Sequence, residues 1–206
     1  MKFLHPMKRF IDWALRFFFG TISRILYRMS YRDAHLVPKD QPFILACNHV
    51  TWIDSLLLQA ACPRRIRFIL TETFHRKPLV YMVSHNTQSI PVDKKKPRSA
   101  IRAAIAALKD GDVVGIYPEG GFTHDGSLRE IQRGVEVMAR GAGCVTVPVV
   151  IRGLFGSALA LRKEWKKEHL WKKPWPRAQV TFGEPIGSDE ISSEVLGERL
   201  KELLER

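Results

Sequence analysis

The sequence has few cysteines and no long uninterrupted apolar run, and both shortages limit what the protein can be. It contains three cysteines, an odd number without the spacing of a metal-binding set: Cys47, Cys62 and Cys144. Because they lie in apolar surroundings, we expect buried thiols in a reducing compartment, with neither a disulfide framework nor a metal site. A spanning helix needs about 20 apolar residues, and the lysines and arginines of residues 1–32 interrupt the most aromatic stretch. Internal repeats and low-complexity tracts are also lacking.

Acidic residues are in the minority. The 206 residues include 33 lysines and arginines against 21 aspartates and glutamates, a formal charge of +12. A basic balance of this size calls for an anionic partner, either nucleic acid or an anionic lipid surface. The hydrophobic content of 45% allows one domain with a sizeable core.

Two basic, aromatic stretches decide between these partners. Within residues 1–32, the stretch from Met7 to Tyr31 is compatible with two helices broken at Gly20, and its mixture of bulky and cationic side chains predicts an interfacial membrane anchor. A basic helix pair packed on the domain is the alternative. Residues 161–177 interleave three tryptophans with lysine and arginine, which suits a membrane interface or single-stranded nucleic acid. We expect a peripheral protein on the cytoplasmic face of an anionic membrane, with no nucleic-acid partner. The predicted division is an anchor over 1–32 and a domain over 33–206.

A histidine and an aspartate flank a predicted strand-to-helix transition. Residues 42–45 form a short apolar run typical of a buried strand, and residues 52–61 predict a helix. On one regular helix, positions 49 and 54 would point about 140° apart. With His49 still in the turn, Asp54 in the first helical turn can reach the imidazole. A carboxylate on one ring nitrogen fixes the tautomer and leaves the other nitrogen free as a base. The alternative is a capping Asn48 beside a half-buried structural histidine.

A second polar group follows another predicted strand. Residues 113–117 form an apolar run, Pro118 ends it, and Gly120–Gly121 supply a permissive turn after Glu119. In open α/β sheets the carboxyl ends of parallel strands share one crevice, so His49, Asp54 and Glu119 are expected to converge there.

Strands and helices alternate along the chain, which predicts an α/β fold with a mixed, mostly parallel sheet flanked by helices. Residues 31–42 are expected to be a connector, and Ala178–Phe182 an edge strand. The other predicted strands are 64–70, 89–92 and 144–151, and the other predicted helices are 74–84, 99–109 with Ser99 as N-cap, one within 126–140, and 189–206.

Four blocks together resemble the glycerophospholipid acyltransferase family. The segment from Asn48 to Asp54 is similar to that family's NHxxxxD motif, and residues 117–120 are similar to its FPEG motif. Residues 89–94 resemble the block between these motifs, and residues 147–151 resemble an apolar fourth block. The resemblance covers roughly residues 40 to 155.

The resemblance implies an O-acyltransferase that needs no metal or cofactor. His49 would act as general base and Asp54 would orient it, while a fatty acyl group passes from coenzyme A or acyl carrier protein to the free glycerol hydroxyl of a lysophospholipid. The candidate substrate-binding residues, in the motifs or close to them in the sequence, are Asn48, Glu119, Gly120, Gly121, Phe122, Thr123, Lys94 and Arg129. A catalytically inactive lipid-binding relative and a basic nucleic-acid-binding module remain as alternatives.

Departures from the family pattern bear on the acceptor. Lysophosphatidate acyltransferases usually continue the FPEG motif with a threonine and a phosphate-contacting arginine, where this chain has Gly121–Phe122. Lys94 replaces another usual arginine. Guanidinium groups hold phosphomonoesters best, so these losses favour a lysophosphatidylethanolamine-type acceptor over 1-acyl-sn-glycerol-3-phosphate. Arg129 or Arg133 remains available to replace the lost arginine.

Overall fold

The computed structural model describes residues 28–51, 53–72, 87–93, 95–123, 125–155 and 177–206, with positions 21 and 84 as isolated additions. The strands within these ranges are β1 (Ser30–Arg32), β2 (Phe43–Cys47), β3 (Ile66–Thr71), β4 (Ile90–Val92), β5 (Val113–Ile116), β6 (Val145–Arg152) and β7 (Gln179–Phe182). The helices are α1 (Asp54–Ala61), α2 (Pro97–Lys109), α3 (Gly134–Ala142) and α4 (Ser193–Glu205), with a short 3₁₀ helix at Ala34–Leu36.

The seven strands form one sheet in the order β1-β7-β6-β2-β5-β3-β4. The β6–β7 pair is antiparallel, and every other neighbouring pair is parallel. The predicted α/β class with a mixed, mostly parallel sheet is therefore confirmed. Strand β2 pairs with both β5 and β6, so the residues that follow β2 and β5 leave the sheet at the same edge.

Helices cover both faces of the sheet, because its central strands are apolar on both sides. All five residues of β2 are buried. Phe43 and Leu45 pack in one core with Leu57 and Leu58 of α1, whereas the alternate residues Ile44 and Ala46 pack in the other core. That second core includes side chains of α2, α3 and α4. A continuous apolar run of this kind is typical of a parallel strand buried on both faces.

Several predicted helix boundaries shift by a few residues. Helix α1 begins at Asp54 instead of residue 52. Helix α2 begins at Pro97, two residues before the predicted N-cap Ser99. Proline suits the first turn because that turn needs no N–H donor, and the Ser99 hydroxyl donates to the Lys96 carbonyl instead of capping. Helix α4 begins at Ser193, where the Ser192 hydroxyl accepts from the Val195 N–H at 3.1 Å.

The prediction of Ala178–Phe182 as an edge strand is wrong. Strand β7 lies between β6 and β1, and β1 pairs with it in parallel, with Ser30 opposite Gln179. Because β1 is three residues long and its burial pattern is exposed–intermediate–exposed, it has no apolar run from which a strand could be predicted. The sheet thus includes Ser30–Arg32, the last three residues of the predicted anchor segment 1–32, so the predicted boundary after residue 32 is wrong at this point.

Some predicted features lie outside the described residues. These are the anchor segment 1–32 except position 21 and residues 28–32, the basic tryptophan-containing segment 161–177 except Arg177, the predicted helix at 74–84 except Ser84, and Lys94. Within the part of the chain that the structure describes, no helix is long and apolar enough to cross a membrane.

Gly115 in β5 is expected to tolerate no side chain. A Cβ atom at this position would lie 2.5 Å from the Phe68 ring and 2.7 Å from Ile66. Overpacking in a core typically costs about 1–3 kcal/mol. Gly115→Ala should therefore lower the free energy of unfolding by about this amount, as measured by urea denaturation. The matched control is Gly187→Ala, whose Cβ would meet nothing closer than Glu190 at 3.8 Å. Equal stability of the two variants would contradict the packing described.

Candidate active site

His49 and Asp54 are in direct contact at the carboxyl end of β2. The His49 Nδ1 atom lies 3.0 Å from Asp54 Oδ2. His49 lies in the loop after β2, and Asp54 is the first residue of α1. The His49 side chain is 15% exposed, whereas that of Asp54 is fully buried. The predicted contact between the turn histidine and the helical carboxylate is confirmed. In the neutral tautomer whose Nδ1–H donates to the carboxylate, Nε2 is the unprotonated ring nitrogen.

Asp54 accepts four hydrogen bonds, which organise the loop before α1. In addition to the imidazole, Oδ2 accepts from the backbone N–H groups of Val50 at 2.7 Å and Thr51 at 2.9 Å. Oδ1 accepts from the Thr51 hydroxyl at 2.5 Å. Four donors match an ionised, acceptor-only carboxylate. Sequence reasoning missed Thr51, although a threonine three residues before a helix-starting aspartate is a usable local signal.

Glu119 ties three segments of the site together. Its Oε1 accepts from the His49 backbone N–H at 2.8 Å, and its Oε2 accepts from the Arg129 backbone N–H at 2.9 Å. Burial raises the pKa of the Glu119 carboxyl, and these two N–H donors only partly offset that effect. The predicted convergence of Glu119 with the other two residues is thus confirmed, and its described contacts are to the protein backbone.

Three other predicted substrate-binding residues also bond to the protein. The Asn48 side chain donates to the Ile151 carbonyl at 3.1 Å and accepts from the Ile151 N–H at 2.8 Å, which extends the β2–β6 pairing. Thr123 donates its backbone N–H to the His49 carbonyl at 2.8 Å. Gly120 adopts a φ of 68°, a left-handed conformation that favours glycine. In the structure these three residues shape the site.

The His49 imidazole is packed between two aromatic rings. The Tyr117 ring is stacked on it, with centroids 3.7 Å apart and an interplanar angle of 10°. The Phe122 ring lies 3.9 Å away at 31°. The Tyr117 hydroxyl and the Ser55 hydroxyl are 2.9 Å apart and share a hydrogen bond. Sequence reasoning assigned no role to Tyr117 beyond its place in the motif.

Arg129 brings a cation to the loop that contains Gly121. One guanidinium nitrogen donates to the Phe122 carbonyl at 3.4 Å, and a Cβ on Gly121 would lie 3.0 Å from the same nitrogen. Arg129 is exposed, and among the described residues it has no carboxylate partner at its guanidinium. Arg133, the other candidate replacement, instead lies 3.9 Å from Glu136 on α3.

Neither the Ser55 hydroxyl nor the Cys47 thiol, both near His49 and Asp54, is activated as a nucleophile. Burial, followed by the nearby charges of Asp54 and Glu119, raises the pKa of the Cys47 thiol well above its usual value. Ser55 is hydrogen-bonded to Tyr117 and not to His49. Within the described ranges, no group of three or more His, Cys, Asp or Glu side chains is arranged to hold a metal ion.

A histidine held by a buried carboxylate, at the carboxyl end of a strand in an α/β sheet, has the arrangement that a general base requires. The model of the family described as Acyltransferase matches residues 28–152. This chain therefore belongs to the acyltransferase family, and its relatives place it among the glycerophospholipid acyltransferases.

Named relatives and one solved structure agree with this assignment. The chain is 27% identical over 169 residues to the 1-acyl-sn-glycerol-3-phosphate acyltransferase of Bacillus subtilis, covering 81% of this chain and 83% of the relative. It is 26% identical over 178 residues to the alpha form from Mus musculus, covering 82% of this chain but 59% of that relative. The crystal structure of the 1-acyl-sn-glycerophosphate (LPA) acyltransferase PlsC from Thermotoga maritima matches with a TM-score of 0.79 and 21% identity. That match covers 100% of this chain and 85% of PlsC, and it supports the fold.

Removing the Glu119 carboxylate should destabilise the protein. Glu119→Ala leaves the N–H groups of His49 and Arg129 without their acceptor, and an unsatisfied buried donor costs about 1–3 kcal/mol. We expect a loss of this size in the free energy of unfolding, measured by urea denaturation. The control is Glu130→Ala, an exposed glutamate on the same loop, expected within about 0.5 kcal/mol of the wild type. Equal effects of the two substitutions would show that Glu119 does not tie the loops together.

Proposed function

We propose that this protein transfers a fatty acyl group from an acyl thioester to the free glycerol hydroxyl of a lysophospholipid, with 1-acyl-sn-glycerol-3-phosphate as the preferred acceptor. The observation that carries the proposal is the 3.0 Å contact between His49 Nδ1 and the buried Asp54 carboxylate, in a chain of the acyltransferase family. The acyl donor is acyl-coenzyme A or acyl carrier protein.

The proposed reaction is a direct acyl transfer by addition to the thioester carbonyl and elimination of the thiolate. His49 Nε2 accepts the proton of the glycerol hydroxyl as that oxygen attacks the thioester carbonyl carbon. Asp54 keeps the other ring nitrogen protonated and stabilises the imidazolium that forms. When the tetrahedral intermediate collapses, the C–S bond breaks, and the leaving thiolate takes the proton from His49. A new ester and a free thiol result.

The protein itself is not acylated in this scheme. The Cys47 thiol remains protonated because burial raises its pKa, and it donates to the Asn48 side-chain oxygen at 3.5 Å. Ser55 lies on α1 but pairs with the Tyr117 hydroxyl. His49 contacts neither as a hydrogen-bond partner among the described residues, so it is free to act on the acceptor hydroxyl.

The position of Arg129 favours lysophosphatidate as the acceptor, whereas the sequence alone favoured lysophosphatidylethanolamine. Its guanidinium lies against Gly121 and beside the Phe122 carbonyl, so a cation lies next to the positions where the family's phosphate-contacting pair is expected. A phosphomonoester is best held by such a group. The names of the Bacillus and mouse relatives favour the same acceptor. Lysophosphatidylethanolamine remains the second candidate, because Phe122 offers an apolar wall in place of an arginine.

Association with an anionic membrane surface is part of the proposal. Its support is the formal charge of +12 and the aromatic, cationic composition of residues 1–32. A lysophospholipid acceptor partitions into membranes, so a protein that binds at the cytoplasmic face would meet its substrate there.

The dyad is tested by His49→Ala and Asp54→Asn. Each should lower kcat/KM by about a thousandfold or more, because one removes the base and the other removes its orienting charge. The double variant should be little worse than either single variant, since the two residues act as a unit. The measurement is mass spectrometry of phosphatidate formed from lysophosphatidate and acyl-coenzyme A. The control is His35→Ala, an exposed histidine of the 3₁₀ helix. Full activity of folded His49→Ala would rule out the mechanism.

Arg129→Gln tests the acceptor. A charge-assisted hydrogen bond contributes about 1.5–3 kcal/mol, so kcat/KM for lysophosphatidate should fall roughly 10- to 150-fold. The value for lysophosphatidylethanolamine should fall much less. The control Arg133→Gln removes a cation that pairs with Glu136, and both acceptors should be affected little. Equal losses for the two acceptors in Arg129→Gln, or a tenfold wild-type preference for lysophosphatidylethanolamine, would contradict the assignment of lysophosphatidate.

A further inference from the structure

The rings of Tyr117 and Phe122 lie on opposite faces of the His49 imidazole. Their centroids are 3.7 and 3.9 Å from the imidazole centroid. Two six-membered rings at these distances cannot share one face of a smaller ring, so they enclose it. We call this pair the aromatic clamp. The ring edge that carries Nδ1 faces Asp54.

The geometry of the clamp fits a charged imidazole better than a neutral one. Pairs of neutral aromatic rings prefer offset or edge-to-face arrangements, with centroids about 4.5–7 Å apart. Here the rings are closer, and Tyr117 is within 10° of parallel to the imidazole. A cation over the face of an aromatic ring is attracted by the negative face of its quadrupole. The imidazolium is the species that forms when His49 accepts the hydroxyl proton.

We propose that Tyr117 and Phe122 are positioning residues that hold the His49 ring and stabilise its protonated form in the transition state. This inference rests on the proposed general-base mechanism and extends it to two residues outside the dyad. Because the attraction grows as positive charge develops on His49, it favours the transition state over the ground state and therefore accelerates the chemical step.

Both rings are held in place by contacts of their own. The Tyr117 hydroxyl is hydrogen-bonded to Ser55, and burial raises the pKa of Tyr117, so the ring is a neutral phenol. Phe122 lies between Glu119, which accepts from the His49 N–H, and Thr123, which donates to the His49 carbonyl. The loop that carries Phe122 is therefore fastened to the residue that its ring covers.

The other titratable and charged groups described around His49 do not contact the faces of its ring. Asp54 acts in the plane of the imidazole through Nδ1. Glu119 bonds to the backbone of His49, and Cys47 and Tyr117 remain neutral because burial raises their pKa values. Arg129, at the Phe122 carbonyl, is a repulsive charge for an imidazolium. Among the residues that the structure describes, the two faces of the ring are thus covered by the π systems of Tyr117 and Phe122.

Phe122→Leu and Phe122→Trp test the clamp in the full-length protein. Leucine keeps apolar bulk but removes the aromatic face, whereas tryptophan retains a strong one. We expect Phe122→Leu to lower the plateau of kcat/KM roughly two- to thirtyfold. The acid limb of its pH profile should move to lower pH by about half a unit or more, because the protonated ring has lost a stabilising contact. Tryptophan should restore the position of that limb.

NMR titration of the His49 ring in the same variants gives a readout independent of turnover. Its midpoint should move to lower pH in Phe122→Leu and return in Phe122→Trp. If Phe122→Leu does not fold, Tyr117→Leu and Tyr117→Phe make the same comparison from the other face. If a variant is slower but its pH profile and titration match those of the wild type, the proposal is overturned. The two rings would then only pack against His49. Failure of the proposed function is distinct: the wild type would transfer no acyl group, or His49→Ala would remain active.

Discussion

The structure of the site depends on the burial of the Asp54 carboxylate. A fully buried charge is costly unless donors surround it, and here four donors do so: the His49 imidazole, the N–H groups of Val50 and Thr51, and the Thr51 hydroxyl. Satisfying this charge fixes the backbone between β2 and α1. The orientation of the imidazole follows from the same requirement, so removing the carboxylate would disturb the loop as well as the base. Stability and the proposed proton transfer are therefore coupled at this residue.

The unusual residues after Glu119 form one connected arrangement. Gly121 has no side chain, which leaves room for the Arg129 guanidinium. Phe122 directs an aromatic ring onto His49, and its carbonyl accepts from that same guanidinium. Where the family usually places a phosphate-contacting arginine, this chain has an aromatic face for the base, and a cation reaches the loop from seven positions further along. The departure from the motif is thus a rearrangement of groups and not simply a loss.

The dyad and the convergence of His49 with Glu119 could be predicted, because apolar runs locate β2 and β5 and parallel strands end at one edge. Strand β1 could not, since three residues without an apolar run are recruited only by pairing with β7. The misplacement of β7 at the edge follows from that omission. Nor could the roles of Asn48 and Tyr117 be predicted: Asn48 bonds to Ile151, 103 residues away, and the stacking of Tyr117 depends on how two loops meet. Local patterns locate elements, whereas contacts across the sheet decide what polar and aromatic side chains do.

In the proposed mechanism, the distribution of charge separates acceptor recognition from proton transfer. Asp54 and Glu119 are buried, and backbone or side-chain donors surround their oxygens. In the described part of this loop cluster, Arg129 is an exposed cation beside the proposed position of the anionic headgroup. The positive charge that develops on His49 instead forms inside the ring pair and against Asp54, where water has little access. Because different groups handle the two charges, acceptor preference can change through residues 121, 122 and 129 while the dyad remains intact. This separation accounts for a chain that retains His49 and Asp54 yet departs from its family where the acceptor is recognised.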